Sequence, residues 1–384
     1  MYRVFVLGAG FSHQAGLPLG NELFDCIIQE SKKGVLYENI LKADIEDYID
    51  YIKATSGKQI IESEIDLEKF ASFLDIQHLL YLRGSDTWSS EGNRSQIVIR
   101  NLIGLILNNK IENMNDSEMS LYNKFASKLD TKDFVITFNY DTILEKALEA
   151  INKPYRLFPQ RFSAIHSTWG EVDTTHEEVV ILKLHGSIDW FDITAFNRET
   201  SHIHSEKNYQ KPYHIIFSNL DKFYPDKIID EPYFQDSKLQ NIYKIKNLDR
   251  YYSTATLVEE VPLIVSPSYV KISYLNPLEE LWGAFHGSGM LNSGIAIIGF
   301  SIPEHDEYIK QPLYSMITDF LNSDTKKIFS RFGIKKLPLK FVDYRKEEKD
   351  QKEYQKIFQF IDWEKTDPFY GGFNDEAIDY LFDK

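Results

Sequence analysis

The chain has 384 residues, of which 43% are hydrophobic and 26% are charged, so it can bury a large core and is not a disordered protein. Its net charge of −15 disfavours general binding to nucleic-acid phosphates, although a local basic patch stays open. A single cysteine, Cys26, excludes an intramolecular disulfide and a zinc site built on several cysteines.

The first predicted element is a strand. Tyr2–Leu7 is a short run of β-branched and aromatic residues that stops at Gly8. No basic segment precedes this run, and no apolar stretch approaches the roughly 18 residues that a membrane span needs. With the lone cysteine, this favours a protein of the reducing cytoplasm. From Asn21 to Glu30, apolar residues at helical spacing predict a helix.

Helical spacing also dominates residues 36–129. Apolar side chains recur three and four residues apart in stripes that begin at Ile45, Leu67 and Ile97. A run of this length is too long for a single crossover between two strands. We therefore interpret it as a helical subdomain inserted into a sheet domain, which would comprise residues 1–35 and 130–384.

Strands and helices alternate after residue 130. The predicted strands are Phe134–Phe138, Val179–Leu184, Leu263–Val265, Ile295–Ile298 and Leu337–Val342. Pro338 indicates that the last of these lies at an edge or begins after the proline. Residues 191–260 are rich in Tyr, Asn, Asp and His and give no clear pattern. The alternation predicts an α/β fold, a Rossmann-like parallel sheet with helices on both faces and a large helical insertion.

Glycines follow the first predicted strand. Gly8-x-Gly10 stands between a strand and a helix, where backbone N–H groups can face a pyrophosphate. However, His13 occupies the place of the third glycine in the usual dinucleotide fingerprint. An ordinary hydride-transfer Rossmann domain is therefore disfavoured, and a glycine turn without a ligand stays open as the alternative.

Polar residues follow the next two strands. Asn139 and Asp141 come after the second, and an Asn side chain can hold a water or a sugar hydroxyl. The alternative is that the pair only caps the following helix. His185 ends the third strand and could be a general base near neutral pH, or a core histidine bonded to a backbone carbonyl. His202 and His204 lack the carboxylate or cysteine spacing that would support a metal.

Further small or polar residues end the last strands: Gly299, Ser301 and Asp343. Each of these turns is unremarkable alone. In a parallel sheet, however, the carboxyl ends of the strands lie along one edge, and ligands bind in the crevice there. The repetition therefore favours a single binding site assembled from distant parts of the chain.

Taken in chain order, these motifs resemble the sirtuin family. The matching pieces are Gly8-Ala9-Gly10-x-Ser12, Gly16-x-Pro18, Thr137-x-Asn139-x-Asp141, His185-Gly186, Gly299-x-Ser301 and Asp343. The resemblance covers about residues 1–30 and 130–345. It implies that the ligand is NAD, used as a substrate.

The resemblance also implies a role for each matching residue. The residues that would cradle the phosphates are Gly8, Ala9, Gly10 and Ser12. Those that would line the adenosine are Gly299, Ser301 and Asp343. Asn139 would orient the nicotinamide ribose or the attacking water, Asp141 would hold the carboxamide end, and His185 would be the base.

Two departures from the family pattern matter. One cysteine cannot build the four-cysteine zinc ribbon of the deacetylating sirtuins, so we expect no zinc. Leu19-Gly20-Asn21 replaces the family's Asp-Phe-Arg, and the helical insertion is also atypical of deacetylases. With these features the chain looks like the bacterial sirtuin-like proteins of antiphage defence that destroy NAD. Those are often paired with a HerA-type ATPase, and a homo-oligomer is expected.

The leading hypothesis is therefore an NAD⁺ hydrolase that cleaves the nicotinamide–ribose bond. Nicotinamide is already a cationic leaving group, so the step needs a positioned water and a base more than an acid. The transition state resembles an oxocarbenium ion, as in glycoside cleavage. The alternatives are a module that senses NAD or a derivative without cleaving it, and a protein deacylase or ADP-ribosyl transferase.

Overall fold

A six-stranded parallel sheet lies at the centre of the described structure. The computed structural model describes residues 2–83, 92–203, 214–254, 260–287, 292–303, 306–322, 336–366 and 368–383. The strands are β1 (Tyr2–Leu7), β2 (Phe134–Thr137), β3 (Tyr155–Arg156), β4 (Phe162–Ile165), β5 (Gly170–Val172), β6 (Val179–Lys183), β7 (Trp190–Asp192), β8 (Asp226–Lys227), β9 (Ile242–Lys244), β10 (Asn292–Ile298) and β11 (Lys340–Val342). The central sheet has the order β11–β10–β1–β2–β6–β3, and its paired strands are parallel.

Helices flank this sheet, and the predicted α/β fold is confirmed. They are α1 (Ala9–Ser12), α2 (Gly20–Ser31), α3 (Val35–Ser56), α4 (Leu67–Leu79), α5 (Arg94–Glu112), α6 (Asp116–Lys128), α7 (Ile143–Ala150), α8 (Thr194–Ile203), α9 (Leu220–Phe223), α10 (Leu248–Thr254), α11 (Glu279–Gly287), α12 (Glu307–Asn322), α13 (Glu348–Ile357) and α14 (Asp375–Phe382). None of the helices in the described ranges has both the length and the apolar character needed to cross a bilayer.

The prediction of a strand over Leu263–Val265 was wrong. This segment makes only an isolated bridge, Gly186 to Ile264, and it bonds to the loop after β6 instead of joining the sheet. Prolines at 262 and 267 bracket the run, and a proline has no N–H with which to extend a ladder. The sixth strand of the sheet is the two-residue β3, which pairs with β6 at the edge and carries no strong sequence signal.

Several features of the central sheet agree with the sequence pattern. The strands β6 and β10 are buried along their whole length, as parallel strands covered on both faces must be. β11 begins at Lys340, after Pro338, and lies at the edge of the sheet, so both consequences of that proline hold. Side chains of α2 to α6 share one hydrophobic core with the strands. The division into a sheet domain and an inserted subdomain stays a prediction.

Part of the region that resisted assignment forms a small antiparallel sheet. Its order is β7–β9–β8. Phe191, Phe217 and Tyr251 belong to a second hydrophobic cluster beside it. His204 and the side chain of His202 lie outside the described residues, so the structure does not bear on that pair.

A close backbone contact joins the turn after β1 to the turn after β10. The Gly10 amide donates to the Gly299 carbonyl at 2.9 Å, and the Gly8 amide donates to the Ile298 carbonyl at 3.0 Å. A Cβ atom on Gly8 would lie 2.5 Å from the Gly299 oxygen, and one on Gly10 would lie 2.7 Å from the Gly299 Cα. Glycine is therefore required on both sides of this contact by packing alone.

We expect Gly299→Ala to lower the free energy of unfolding by about 2–4 kcal/mol. Gly299 has a φ of +58°, and its Cβ would lie 2.4 Å from backbone atoms of Gly10 and Phe11. The matched control is Gly283→Ala on α11, where the added Cβ meets open space, and helix propensity should make it neutral or stabilising by about 1 kcal/mol. Urea denaturation of both variants tests this, and equal effects would contradict it.

Candidate active site

A cavity of about 570 Å³ lies at the carboxyl edge of the central sheet. The chain leaves β1 for β2 on one side and returns to β10 on the other, so β1 and β10 flank a topological switch point, where such folds bind ligands. The predicted site residues that line the cavity are Gly8, Ala9, Asn139, His185, Gly299 and Ser301. Those that do not line it are Gly10, Ser12, Asp141 and Asp343.

Asn139 is held in a defined orientation. Its Nδ2 donates to the Gly8 carbonyl at 2.9 Å and to Ser12 Oγ at 3.1 Å. Because a carbonyl oxygen can only accept, the bond to Gly8 fixes which end of the amide is nitrogen. Among the described residues Oδ1 has no hydrogen-bond partner, so it is available to accept from a water or a hydroxyl in the cavity. The interpretation of Asn139 as a helix cap was wrong.

Asp141 lies behind Asn139, away from the cavity. Its Oδ2 accepts from Ser12 Oγ at 2.7 Å, and its Oδ1 accepts from the Ile143 amide at 3.1 Å, at the first residue of α7. Asp141 therefore does take part in capping this helix, as the alternative proposed. It also fixes the Ser12 hydroxyl, which in turn accepts from Asn139. The structure supports an orienting position for Asp141 more than contact with a ligand.

Beneath these residues, Lys183 is fully buried at the end of β6. Its Nζ lies 2.6 Å from Glu145 Oε1 and also donates to the Asp141 carbonyl. Burial raises the pKa of Glu145, and the Lys183 ammonium opposes that shift. Removing either partner would leave a buried charge uncompensated, which is strongly destabilising. This pair anchors α7 and the Asn139–Asp141 loop to the sheet.

His185 lies in the cavity wall but is 94% buried. Its Nε2 is 2.9 Å from the Tyr308 hydroxyl, and the ring also hydrogen-bonds to the backbone of Phe138. The contact with Phe138 raises the pKa, so a ring N–H donates to that carbonyl. Nε2 is then the acceptor, and Tyr308 donates to it. His185 is therefore satisfied partly by a backbone carbonyl, as in the alternative interpretation, yet it also faces the cavity.

The environment of His185 weakens it as a base. Burial, and to a smaller extent the positive charge of Lys271, lower the pKa of His185 to about 3. The ring is therefore neutral at physiological pH, with its lone pair engaged by Tyr308. Burial also raises the pKa of Tyr308, so this hydroxyl stays protonated and able to donate.

Among the charged residues of the cavity lining that the sequence did not single out, three pair with one another. Lys271 is buried, and its Nζ lies 2.9 Å from Glu68 Oε1 on α4 and 3.0 Å from Asp306 Oδ2 at the start of α12. Their positions follow no strand end and no motif. Only the packing of α4 and α12 against the sheet brings them to the site, so the sequence held no signal for them beyond the charges themselves.

The glycine turn does not match the predicted phosphate cradle. The amides of Gly8, Gly10 and Phe11 are each bonded to a backbone carbonyl within the protein, at 3.0, 2.9 and 2.9 Å. They cannot donate to a phosphate in this arrangement, and Gly10 and Ser12 do not line the cavity. Ala9, which is exposed at the cavity wall, is the residue of the turn that is best placed to meet a ligand.

The predicted adenosine residues are joined through an arginine. Asp343 is buried, and its carboxylate lies 3.0 Å from Arg345 Nε. Arg345 Nη2 in turn donates to Ser301 Oγ at 3.1 Å, and Ser301 lines the cavity. Asp343 thus positions Arg345 and does not form the wall itself. Arg345 was missed, although its place just after the last strand could have marked it.

In the described part of the chain, no three His, Cys, Asp or Glu side chains gather into a group that could hold a metal. The sequence already excludes a four-cysteine ribbon, since Cys26 stands alone. The absence of bound zinc stays a prediction.

The profile of the SIR2-like domain family matches residues 133–236. That segment contains Asn139, Asp141 and His185, whereas the glycine turn, Ser301 and Asp343 lie outside it. Residues 133–236 are therefore similar to SIR2-like domains, which is consistent with binding or processing of NAD.

Two other comparisons add little. A solved structure of Sir2Tm bound to a propionylated peptide aligns with 99% of this chain and 91% of its own chain, at 12% identity and a TM-score of 0.28. A score this low carries no argument about individual residues. No curated protein matches the chain.

The buried neutral state of His185 should make stability depend on pH. Below about pH 6.5 the unfolded chain binds a proton at His185, whereas the folded protein does so only near pH 3. The free energy of unfolding should therefore fall as pH falls through this window. Between pH 7 and pH 5 the loss should be about 2 kcal/mol larger in the wild type than in His185→Gln. Denaturation at both pH values tests this, and parallel losses would contradict it.

Proposed function

We propose that the protein is an NAD⁺ hydrolase that cleaves the bond between nicotinamide and ribose, with water as the acceptor. The observation that carries this proposal is the placement of Asn139 and His185 in the wall of one cavity. The cavity volume of about 570 Å³ falls in the usual range for small-molecule sites. Both residues also lie within the SIR2-like segment.

In the proposed mechanism, Asn139 positions the nucleophile. Its Oδ1 accepts from the attacking water or from a ribose hydroxyl, while its Nδ2 is held by Gly8 and Ser12. The oxygen of the water bonds to C1′ of the ribose, and the C1′–nitrogen bond breaks. Its electron pair passes to nicotinamide, which leaves as a neutral molecule, so no acid is needed. Fixing the water in this way avoids an entropic cost during the reaction.

His185 would receive the proton that the water or ribose loses. It is already unprotonated at neutral pH, although its low pKa makes it a weak base until the site fills. Because Tyr308 donates to Nε2, that hydroxyl must shift or relay the proton for His185 to act. A reaction with an oxocarbenium-like transition state can proceed with a weak general base. A weakly basic His185 therefore suits this hydrolysis better than a reaction that needs a strong base.

The same features of His185 favour a second candidate function. A histidine whose lone pair is occupied and whose pKa is lowered to about 3 also suits a module that binds NAD or a derivative without cleaving it. In that function His185 would form part of the binding wall, and Tyr308 would hold its ring in place. A deacylase or ADP-ribosyl transferase remains the third possibility that the resemblance leaves open, and the same product analysis separates all three.

At the level of the cell, we propose that NAD depletion serves antiphage defence, and that a HerA-type ATPase is a partner. Both ideas come from the resemblance to bacterial sirtuin-like proteins. Cleavage of NAD without restraint would harm the host, so the activity should depend on assembly or on a partner. Coexpression with such an ATPase, followed by measurement of cellular NAD, addresses this role separately from the chemistry.

Incubation of the pure protein with NAD⁺, followed by chromatography, should yield nicotinamide and ADP-ribose or its cyclic form. His185→Ala and Asn139→Ala should each slow cleavage by ~10²–10⁴, while Asn139→Ala should still bind NAD⁺. Asn139→Ala also loses two internal hydrogen bonds, so a modest drop in melting temperature is expected. Ser301→Ala should weaken binding and spare more of the maximal rate.

The matched control is His166→Ala, which removes an exposed histidine that is not part of the cavity lining and should leave turnover unchanged. Melting curves recorded on all variants separate chemistry from folding. Folded, inactive His185 and Asn139 variants would support the hydrolase. Binding of NAD⁺ by the wild type with no products would support the binding module, and products on an acceptor other than water would support the third function.

We also expect the active form to be a homo-oligomer. Unrestrained cleavage of NAD would harm the host, and dependence on assembly would restrain the activity. Light scattering combined with activity measurement across a dilution series tests this. Specific activity should fall as the assembly dissociates. A monomer with full activity in the absence of any partner would contradict the expectation.

A further inference from the structure

The wall of the cavity around His185 combines carboxylates with aromatic rings. Glu68 and Asp306 both line it, and they come from α4 and from the start of α12. A single buried lysine, Lys271, pairs with both. Asp66 lines the cavity as well, so among the described lining residues three carboxylates outnumber the one ammonium, and this part of the wall carries a net negative charge.

Aromatic side chains complete this wall. Phe138, Tyr140 and Phe300 line the cavity, and Phe138 stacks on Phe300 with ring centroids 4.5 Å apart and planes 12° apart. The Phe138 ring also meets His185 edge to face, at 5.2 Å. Aromatic faces attract cations, and a neighbouring negative charge adds to that attraction. The wall therefore has the chemistry of a site for a flat, positively charged group.

The carboxylates act on groups that face the cavity. The pKa of Tyr140 is raised mainly by burial, and the charges of Glu68 and Asp306 raise it further. Tyr308, which hydrogen-bonds to His185 and is not itself part of the cavity lining, shows the same pattern, with burial first and then Asp306. A cation placed beside Tyr140 would feel the field of these carboxylates with the opposite sign and would be stabilised, whereas at His185 the nearer influence is the positive charge of Lys271, which lowers the pKa of that ring.

We propose that Glu68 and Asp306, positioned by Lys271, select oxidised over reduced NAD by attracting the positive charge of the nicotinamide ring. This inference rests on the proposed function, because it concerns the same cavity and substrate. The nicotinamide ring of NAD⁺ is cationic, the ring of NADH is neutral, and ADP-ribose has no ring there. Glu68 and Asp306 are specificity-determining residues, and Lys271 is a positioning residue.

The field also favours the reaction itself. Positive charge moves from the nicotinamide ring onto the ribose as the C1′–nitrogen bond lengthens. A fixed negative wall keeps stabilising that charge while nicotinamide departs. It would, in contrast, repel a pyrophosphate, which should therefore lie away from Glu68 and Asp306.

The experiment compares NAD⁺, NADH and ADP-ribose by titration calorimetry on the full chain. If the wild type consumes NAD⁺ during the titration, all three ligands are titrated into the Asn139→Ala variant instead, in which NAD⁺ should stay intact. Glu68→Gln should weaken NAD⁺ binding roughly tenfold, which is the effect of one unit charge at about 10 Å with an effective dielectric constant near 20. Binding of NADH and ADP-ribose should not weaken, so the preference for NAD⁺ should fall by the same factor.

Two further variants keep the test independent of folding. Glu68→Asp keeps the charge and should retain the preference for NAD⁺, whereas Glu46→Gln removes an exposed carboxylate on α3 outside the cavity lining and should change nothing. The side chain of Glu68 is 34% exposed, so its substitution should be tolerated. Asp306→Asn should shift the preference in the same direction as Glu68→Gln.

The outcomes separate the two proposals. A wild-type protein that binds neither NAD⁺ nor ADP-ribose contradicts the proposed function. A protein that binds both, but whose preference for NAD⁺ over NADH survives both Glu68→Gln and Asp306→Asn, overturns selection by charge and leaves the proposed function standing. Equal weakening of the binding of all three ligands in Glu68→Gln would also overturn selection by charge, because a merely structural role of Glu68 predicts that result.

Discussion

The close contact between Gly10 and Gly299 is the constraint on which the site depends. Two backbones meet there without any side chain between them, at the switch point where the sheet reverses its order. A Cβ on either glycine would push the turns after β1 and β10 apart. The cavity floor includes both turns, so its shape follows from this contact. The glycines that resemble a phosphate-binding motif are thus explained by packing before any ligand is invoked.

A polar network extends that constraint to the other strands. The Gly8 carbonyl orients the Asn139 amide, Ser12 links Asn139 to Asp141, and the Asp141 carbonyl accepts from Lys183 at the end of β6. Each step crosses from one strand end to the next, so the network ties β1, β2 and β6 together below the cavity. Because Gly8 and Ser12 both accept from Nδ2, the Asn139 amide is held in one orientation, and its Oδ1 has no partner among the described residues. Such preorganisation is what catalysis by positioning requires.

The helical segment between β1 and β2 is part of the site as well as of the core. Glu68 reaches the cavity from α4 and pairs with Lys271, a residue more than two hundred positions away in the chain. This ion pair joins the helices to the wall that surrounds His185. Any rearrangement of α4, by assembly or by a partner, would alter both the charge of the wall and the field at His185. The ion pair between Glu68 and Lys271 therefore provides a direct contact through which the helices could regulate the site.

Local sequence patterns were enough to specify several strands of the sheet and the edge at which they end. Apolar runs ended by glycine or polar residues marked β1, β2, β6 and β10, and the rule that parallel strands end at one edge predicted that Asn139 and His185 would share a cavity. Tertiary structure alone decided that Lys271 lines the site. It also decided the protonation of His185, because burial and a distant lysine lower its pKa. These outcomes depend on contacts between residues far apart in sequence, and local patterns carry no record of such contacts.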